Sequence, residues 1–114
     1  MLVKEFWTAI VGQNPNEIRS YFKETAIIIW HNNKEEFTLE EFIRVNCEYL
    51  GNWDCEVERM EEIGDLIITV TRIFSMNSSV SVHATSFLRM EDGKIASMDE
   101  YLVMTEKFRT GDWI

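Results

Sequence analysis

The sequence has little of the residues that mark several special classes of protein. Cys47 and Cys55 are its only cysteines, and two thiols without a CxxC motif favour neither a disulfide framework nor a zinc site. Its 11 Lys and Arg residues are scattered and outnumbered by 20 Asp and Glu residues, which gives a net charge of −9. Binding to nucleic acid or to an anionic membrane needs a basic surface, so neither partner is expected.

Targeting and membrane signals are also missing. No apolar run approaches the length of a membrane-spanning helix. Glu5 interrupts the apolar pattern of the first residues and no small-residue cleavage site follows, so we expect a cytoplasmic protein. The acidic pairs at 35–36, 40–41 and 61–62 do not have calcium-loop spacing, and neither a metal nor a cofactor is predicted.

The chain does have enough apolar material for one core. Hydrophobic residues make up 46% of its 114 residues, with seven Phe, four Trp and three Tyr. This length suits a single domain, which we place at 1–114.

Three helices are predicted in the first half of the chain. Apolar residues at 3, 6, 7, 10 and 11 form one helical stripe. Asn14 followed by Pro15 is typical of a helix start, and Thr38 with Glu41 forms a capping box for a third helix. A short buried strand at 26–30 is predicted between the second and third helices.

The second half predicts a four-stranded antiparallel meander. Apolar and polar residues alternate over 53–60, 66–75, 80–90 and 94–103, and turn residues stand at 64–65, 77–78 and 92–93. Two roles stay open for 105–114, which either covers a partner subunit or closes the fold.

The hairpin turns predict which side chains share a face. A two-residue turn at 77–78 pairs Arg72 with His83, and a two-residue turn at 92–93 pairs Thr85 with Glu100. Because burying charges on an apolar face costs several kcal/mol each, the four side chains predict a polar-lined pocket.

The other face of the central strand is more apolar, and a bulge would exchange the two faces. We expect that face to mediate a homodimer by sheet-to-sheet contact, through Val80, Val82, Ala84, Ser86 and Leu88. A one-residue bulge at either turn would reverse this assignment.

These features together resemble the nuclear transport factor 2-like superfamily, in its small bacterial SnoaL-like branch. The resemblance covers nearly the whole chain, and its most specific stretch is the hairpin at 87–101. It implies an α+β fold: a cone-shaped, strongly curved antiparallel sheet wrapped around N-terminal helices and enclosing a pocket. Ketosteroid isomerase, limonene epoxide hydrolase, scytalone dehydratase, polyketide cyclases and non-catalytic binding modules share this fold, so fold alone does not assign function.

Residue by residue, the resemblance argues against steroid isomerisation. The isomerase positions for the catalytic acid and the two oxyanion donors correspond here to Trp30, Phe6 and Thr85. The pocket of the epoxide hydrolase is more similar, since its Arg, Asp, Tyr and Asn correspond to Arg72, Glu100, Trp30 and Asn32. Its second aspartate corresponds to Phe74, which cannot replace it.

Two functional hypotheses follow. The first is a small-molecule-binding protein, with or without catalysis, for a small apolar ligand that carries one oxygen function. His83 and Glu100 would exchange protons, and Arg72 would stabilise negative charge. The second is a non-catalytic homodimeric module in which the same three residues form a structural network. The predicted ligand-binding residues are Tyr21, Trp30, Asn32, Thr85, Phe87 and Met98, whereas Trp7 and Phe22 are expected in the core.

Overall fold

A computed structural model describes residues 1–77 and 79–104. The predicted roles of 105–114 and the position of Ser78 in its turn lie outside the described residues. The described elements are the helices α1 (Val3–Gly12), α2 (Pro15–Ser20) and α3 (Leu39–Glu48) and the strands β1 (Phe22–Trp30), β2 (Glu35–Thr38), β3 (Trp53–Ile63), β4 (Leu66–Ser75), β5 (Ser81–Glu91) and β6 (Lys94–Met104).

The helix starts follow the local sequence signals. The Asn14 side chain accepts hydrogen bonds from the backbone N–H groups of Asn16 and Glu17, which caps α2. At α3, the Thr38 side chain and the Glu41 side chain each bond to the other residue's backbone, which confirms the predicted capping box.

The strands form one curved, open sheet with the order β2-β1-β6-β5-β4-β3. The predicted meander is confirmed, and the early strand β1 joins it by pairing in parallel with β6. The chain therefore has the predicted α+β fold, in which the three helices cover one face of the sheet. Phe6 of α1 is fully buried at the centre of this core, with its ring 5.5 to 5.9 Å from the rings of Trp7, Tyr21 and Phe22.

One predicted strand register is confirmed and the other is wrong. Arg72 lies opposite His83 as predicted, but Glu100 lies opposite Ser86 rather than Thr85. The turn itself forms as expected, since Glu91 pairs with Lys94. The register shifts by one residue just after it, because Ala96 is an extra residue in β6 that has no partner on β5.

Because of this bulge, the side chains of β4 and β5 that were predicted to share a face with Glu100 lie on the opposite face of the sheet. The β5 side chains assigned to a dimer surface instead point toward the helices, where Ala84 and Leu88 are fully buried and Ser86 is buried with them. The predicted dimer residues are therefore wrong. Arg72 and His83 lie on the opposite, outer face of the sheet.

Candidate functional site

A cavity of about 550 Å³ lies between the helices and the inner face of the sheet. Its volume is within the usual range for small-molecule sites. Most of its wall is apolar or aromatic, and it is lined by Trp7, Ile10, Val11, Gln13, Trp30, Asn32, Phe42, Asn46, Tyr49, Trp53, Ile73, Val80, Val82, Met98, Glu100, Leu102 and Met104.

Among the described residues that line the cavity, Glu100 is the only acidic one, and 4% of it is exposed. One carboxyl oxygen accepts a hydrogen bond of 3.0 Å from Trp30 Nε1, and the other accepts one of 2.8 Å from Ser86 Oγ. Burial raises the pKa of Glu100, and the two hydrogen bonds oppose part of this effect because they stabilise the ionised form. The cavity therefore contains a carboxyl group that holds its proton to a higher pH than an exposed glutamate does.

Strand pairing brings these polar groups into one row across the inner face of the sheet. Thr69, Ser86, Glu100 and Trp30 lie at paired positions on β4, β5, β6 and β1. At the β4 end of the row, Trp7 Nε1 reaches down from α1 and donates a hydrogen bond of 3.2 Å to Thr69 Oγ1. Because buried polar groups are costly unless they are bonded, the row fixes both the position of Glu100 and the position of α1 above it.

Polar side chains at the ends of the helices hold the rest of the wall in place. Gln13 Nε2 donates to the backbone oxygens of Asn46 and Tyr49, at 2.9 and 2.7 Å, and Asn46 Nδ2 donates to the backbone oxygen of Ile10 at 2.9 Å. These bonds join the C-terminal ends of α1 and α3. On the other side, Asn32 exchanges two hydrogen bonds with the backbone of Leu102.

Four of the nine predicted site residues line this cavity. They are Trp30, Asn32, Met98 and Glu100. Asn32 was predicted from the resemblance alone, whereas the alternation of β6 placed Met98 and Glu100 on one face.

The other five predicted residues lie elsewhere. Thr85 and Phe87 face outward with their strand, and Tyr21 packs its ring on Phe6 in the core. Arg72 pairs with Glu56 at 3.2 Å, and the His83 ring is 3.0 Å from a Glu58 carboxylate oxygen. The predicted cluster of Arg72 and His83 with Glu100 is therefore wrong, both as a catalytic site and as a structural network, because the bulge at Ala96 separates them by the thickness of the sheet.

Comparison with known proteins agrees with the architecture. The model of the SnoaL-like domain family matches residues 3–98, which is most of the chain. The chain belongs to the SnoaL-like family. No curated protein matches this SnoaL-like chain significantly.

Solved structures show the same fold at low sequence identity. A putative ketosteroid isomerase from Kribbella flavida is 18% identical with a TM-score of 0.80, and the match covers 98% of this chain and 82% of that one. A putative SnoaL-like polyketide cyclase from Jannaschia is 16% identical, with a TM-score of 0.73 and coverage of 88% and 81%. An LEH-like epoxide hydrolase from M. tuberculosis is 11% identical, with a TM-score of 0.71 and coverage of 89% and 79%. These likenesses establish the fold of this SnoaL-like chain.

Sequence reasoning missed several residues of the cavity. Gln13, Asn46 and Trp53 line the cavity and are not among the predicted site residues. Ser86, predicted on the outer face, lies on the inner face behind the cavity wall, where it bonds to Glu100. Trp7 was expected in the core, and it is buried there while one side of it also lines the cavity. One signal was available: Ser86 is the polar residue in an otherwise apolar alternation on β5, which favours a polar partner on the same face.

Within residues 1–77 and 79–104, no group of three or more His, Cys, Asp or Glu side chains is arranged to hold a metal ion. Among the helices of the same ranges, none is long and apolar enough to span a bilayer.

Proposed function

We propose that this SnoaL-like protein binds a small, mainly apolar molecule in the 550 Å³ cavity, with Glu100 as its polar anchor. The observation that carries the proposal is the position of Glu100: a buried, doubly hydrogen-bonded carboxyl group in an aromatic wall. An apolar cavity with one well-placed polar group is the usual form of a small-molecule site. Trp30, Asn32 and Met98 are the other predicted residues that support it.

Proton transfer is the chemistry that this carboxyl group favours. A raised pKa brings a carboxyl group closer to the range in which it can both give and accept a proton. Isomerase-type or cyclase-type chemistry needs one such group, whereas the limonene epoxide hydrolase pattern needs a second acid. The described wall offers no second carboxyl group, so we propose an isomerase-type or cyclase-type proton transfer for any reaction in this cavity.

Binding can be tested with the neutral, apolar dye N-phenyl-1-naphthylamine, whose emission rises in apolar sites. The wild-type protein should bind the dye, and Val82→Trp, which fills part of the cavity, should weaken binding by about ten-fold or more, or about 1.4 kcal/mol. Thr8→Trp is the control, because Thr8 is exposed on α1, away from both the cavity wall and the outer sheet face. Absence of dye binding by the wild-type protein would overturn the proposal, as would equal effects of the two variants.

A homodimer through the outer sheet face is proposed separately, on different residues from those predicted. Val70 and Phe87 lie on that face, and Tyr101 and Val103 beside them are 46% and 63% exposed. Contiguous apolar surface of this kind favours association. The cytoplasmic location stays a prediction of the sequence.

Sedimentation velocity tests the dimer. The wild-type protein should sediment as a dimer and Val70→Lys as a monomer, because the lysine would place an unpaired charge in the interface. Thr8→Lys, at an exposed position of α1, should leave the dimer intact. A monomeric wild-type protein would contradict the dimer and leave the cavity proposal unaffected.

A further inference from the structure

The cavity wall offers a ligand few hydrogen-bond donors. The indole N–H groups of Trp7, Trp30 and Trp53 donate to Thr69, to Glu100 and to the backbone oxygen of Leu50. The amide groups of Gln13, Asn32 and Asn46 each donate to a backbone oxygen. A ligand that needs donors, such as a carboxylate or a phosphate, would therefore find most of the wall's N–H groups already used.

Acceptors and aromatic faces are present instead. Both oxygens of Glu100 accept hydrogen bonds, an arrangement that suits the ionised carboxylate. The wall also contains five aromatic residues, and neither Lys, Arg nor His is among the described residues that line it. Trp, Tyr and Phe rings attract cations through their faces, most strongly where water is excluded.

The balance of charge around Glu100 also favours a positively charged ligand. A buried carboxylate is expensive unless a positive charge accompanies it, and the described wall does not supply that charge. The chain as a whole has a net charge of −9, which attracts cations and repels anions at long range. A cationic ligand would therefore supply the counter-charge for the Glu100 carboxylate, whereas an anionic ligand would be repelled by it.

We propose that the ligand of this cavity is a small organic cation, an ammonium group with apolar substituents, whose charge lies against the Glu100 carboxylate and the surrounding aromatic rings. This inference rests on the proposed function, since it names the ligand class of the same cavity. It replaces the expectation of a neutral ligand with an oxygen function. Such a neutral ligand would accept a hydrogen bond from protonated Glu100. It would neither balance the negative charge of the ionised carboxylate nor make cation–π contacts with the aromatic rings.

Two probes of the same shape separate charge from size. Benzyltrimethylammonium and its neutral carbon analogue, neopentylbenzene, differ only in a nitrogen for a carbon and in the positive charge. Each is used to displace N-phenyl-1-naphthylamine from the wild-type protein. The cation should displace the dye at a concentration lower by about ten-fold or more, which is about 1.4 kcal/mol.

Two isosteric variants assign that preference to Glu100. Glu100→Gln keeps the size and shape of the side chain but removes its charge and replaces one acceptor oxygen by an amide NH2 group. The preference for the cation should therefore fall to the smaller part that the aromatic rings supply. Glu56→Gln removes the same charge from an exposed position of β3 on the outer face, and it should keep the preference.

The outcomes distinguish this inference from the proposed function. If the dye binds but the neutral probe displaces it as well as the cation does, the cation inference is wrong and the apolar site remains. If the preference is undiminished in Glu100→Gln, the inference is also wrong, because the attraction then does not arise from the Glu100 carboxylate. If the dye does not bind to the wild-type protein, the proposed function fails and the inference fails with it.

Discussion

Ser86 Oγ lies 2.8 Å from Glu100 Oε2, and the two residues face each other across β5 and β6 only because Ala96 adds one residue to β6. Without the bulge, the uniform register of the hairpin would pair Glu100 with Thr85 on the outer face. A single extra residue thus brings an acidic group of the cavity wall and its buried hydrogen-bond donor together on the inner face of the sheet.

Ser86→Ala should destabilise the protein by about 1–3 kcal/mol, because it leaves a buried carboxyl oxygen without its donor. The hydrogen bond from Ser86 lowers the pKa of Glu100, so its loss should raise that pKa further. The destabilisation should therefore be larger at about pH 8 than at about pH 4, where Glu100 is protonated. Urea unfolding at the two pH values measures it, with Ser97→Ala on the outer face as the control; an equal loss at both would contradict the prediction.

Glu100→Gln should change how stability depends on pH. Burial raises the pKa of Glu100 above its unfolded value, so the folded protein binds the proton more tightly and its stability falls as pH rises between those two pKa values. The variant lacks this loss, and each unit of the shift is worth about 1.4 kcal/mol. The free energy of unfolding of the variant should therefore increase relative to that of the wild type as the pH rises above about 4.

The comparison is made by urea unfolding of both proteins across that range. A difference between them that stays constant with pH would show that Glu100 has the same pKa in the folded and unfolded states.

The hydrogen bond from Trp7 to Thr69 should contribute measurably to stability. Thr69→Val leaves the buried Trp7 N–H without an acceptor and should cost about 1–3 kcal/mol. Trp7→Phe removes the donor, and adding it to Thr69→Val should cost less than the sum of the two single changes. A double-mutant cycle by thermal or urea unfolding gives the coupling energy, and strict additivity would show that the bond contributes nothing.

Arg72→Met with His83→Gln should leave cavity binding unchanged, because both residues lie on the outer face and contact Glu56 and Glu58. The dissociation constant of N-phenyl-1-naphthylamine is the measurement. A weakening of about ten-fold or more in a folded double variant would show that the two residues act on the cavity after all.

Local signals predict the three helices, the early strand β1 and the four strands of the meander, whereas β2 is not predicted. The capping box at Thr38, the Asn14 cap and the alternation of the strands are local signals, and each of them produced the structure it predicts. The alternation along β6 also placed Glu100 with Met98 on the cavity face, since neighbouring positions in a strand fix the faces whatever the partner does.

The residue that Glu100 faces depends on tertiary structure. The relation between one strand and the next depends on the register, and a bulge at Ala96 leaves no clear mark in the sequence because alanine fits either arrangement. The hydrogen bonds of Trp30 and Trp7 span 70 and 62 residues along the chain, so they depend on the packing of distant elements. Local alternation therefore placed Glu100 on the cavity face, and the long-range register determined that Ser86 rather than Thr85 meets it.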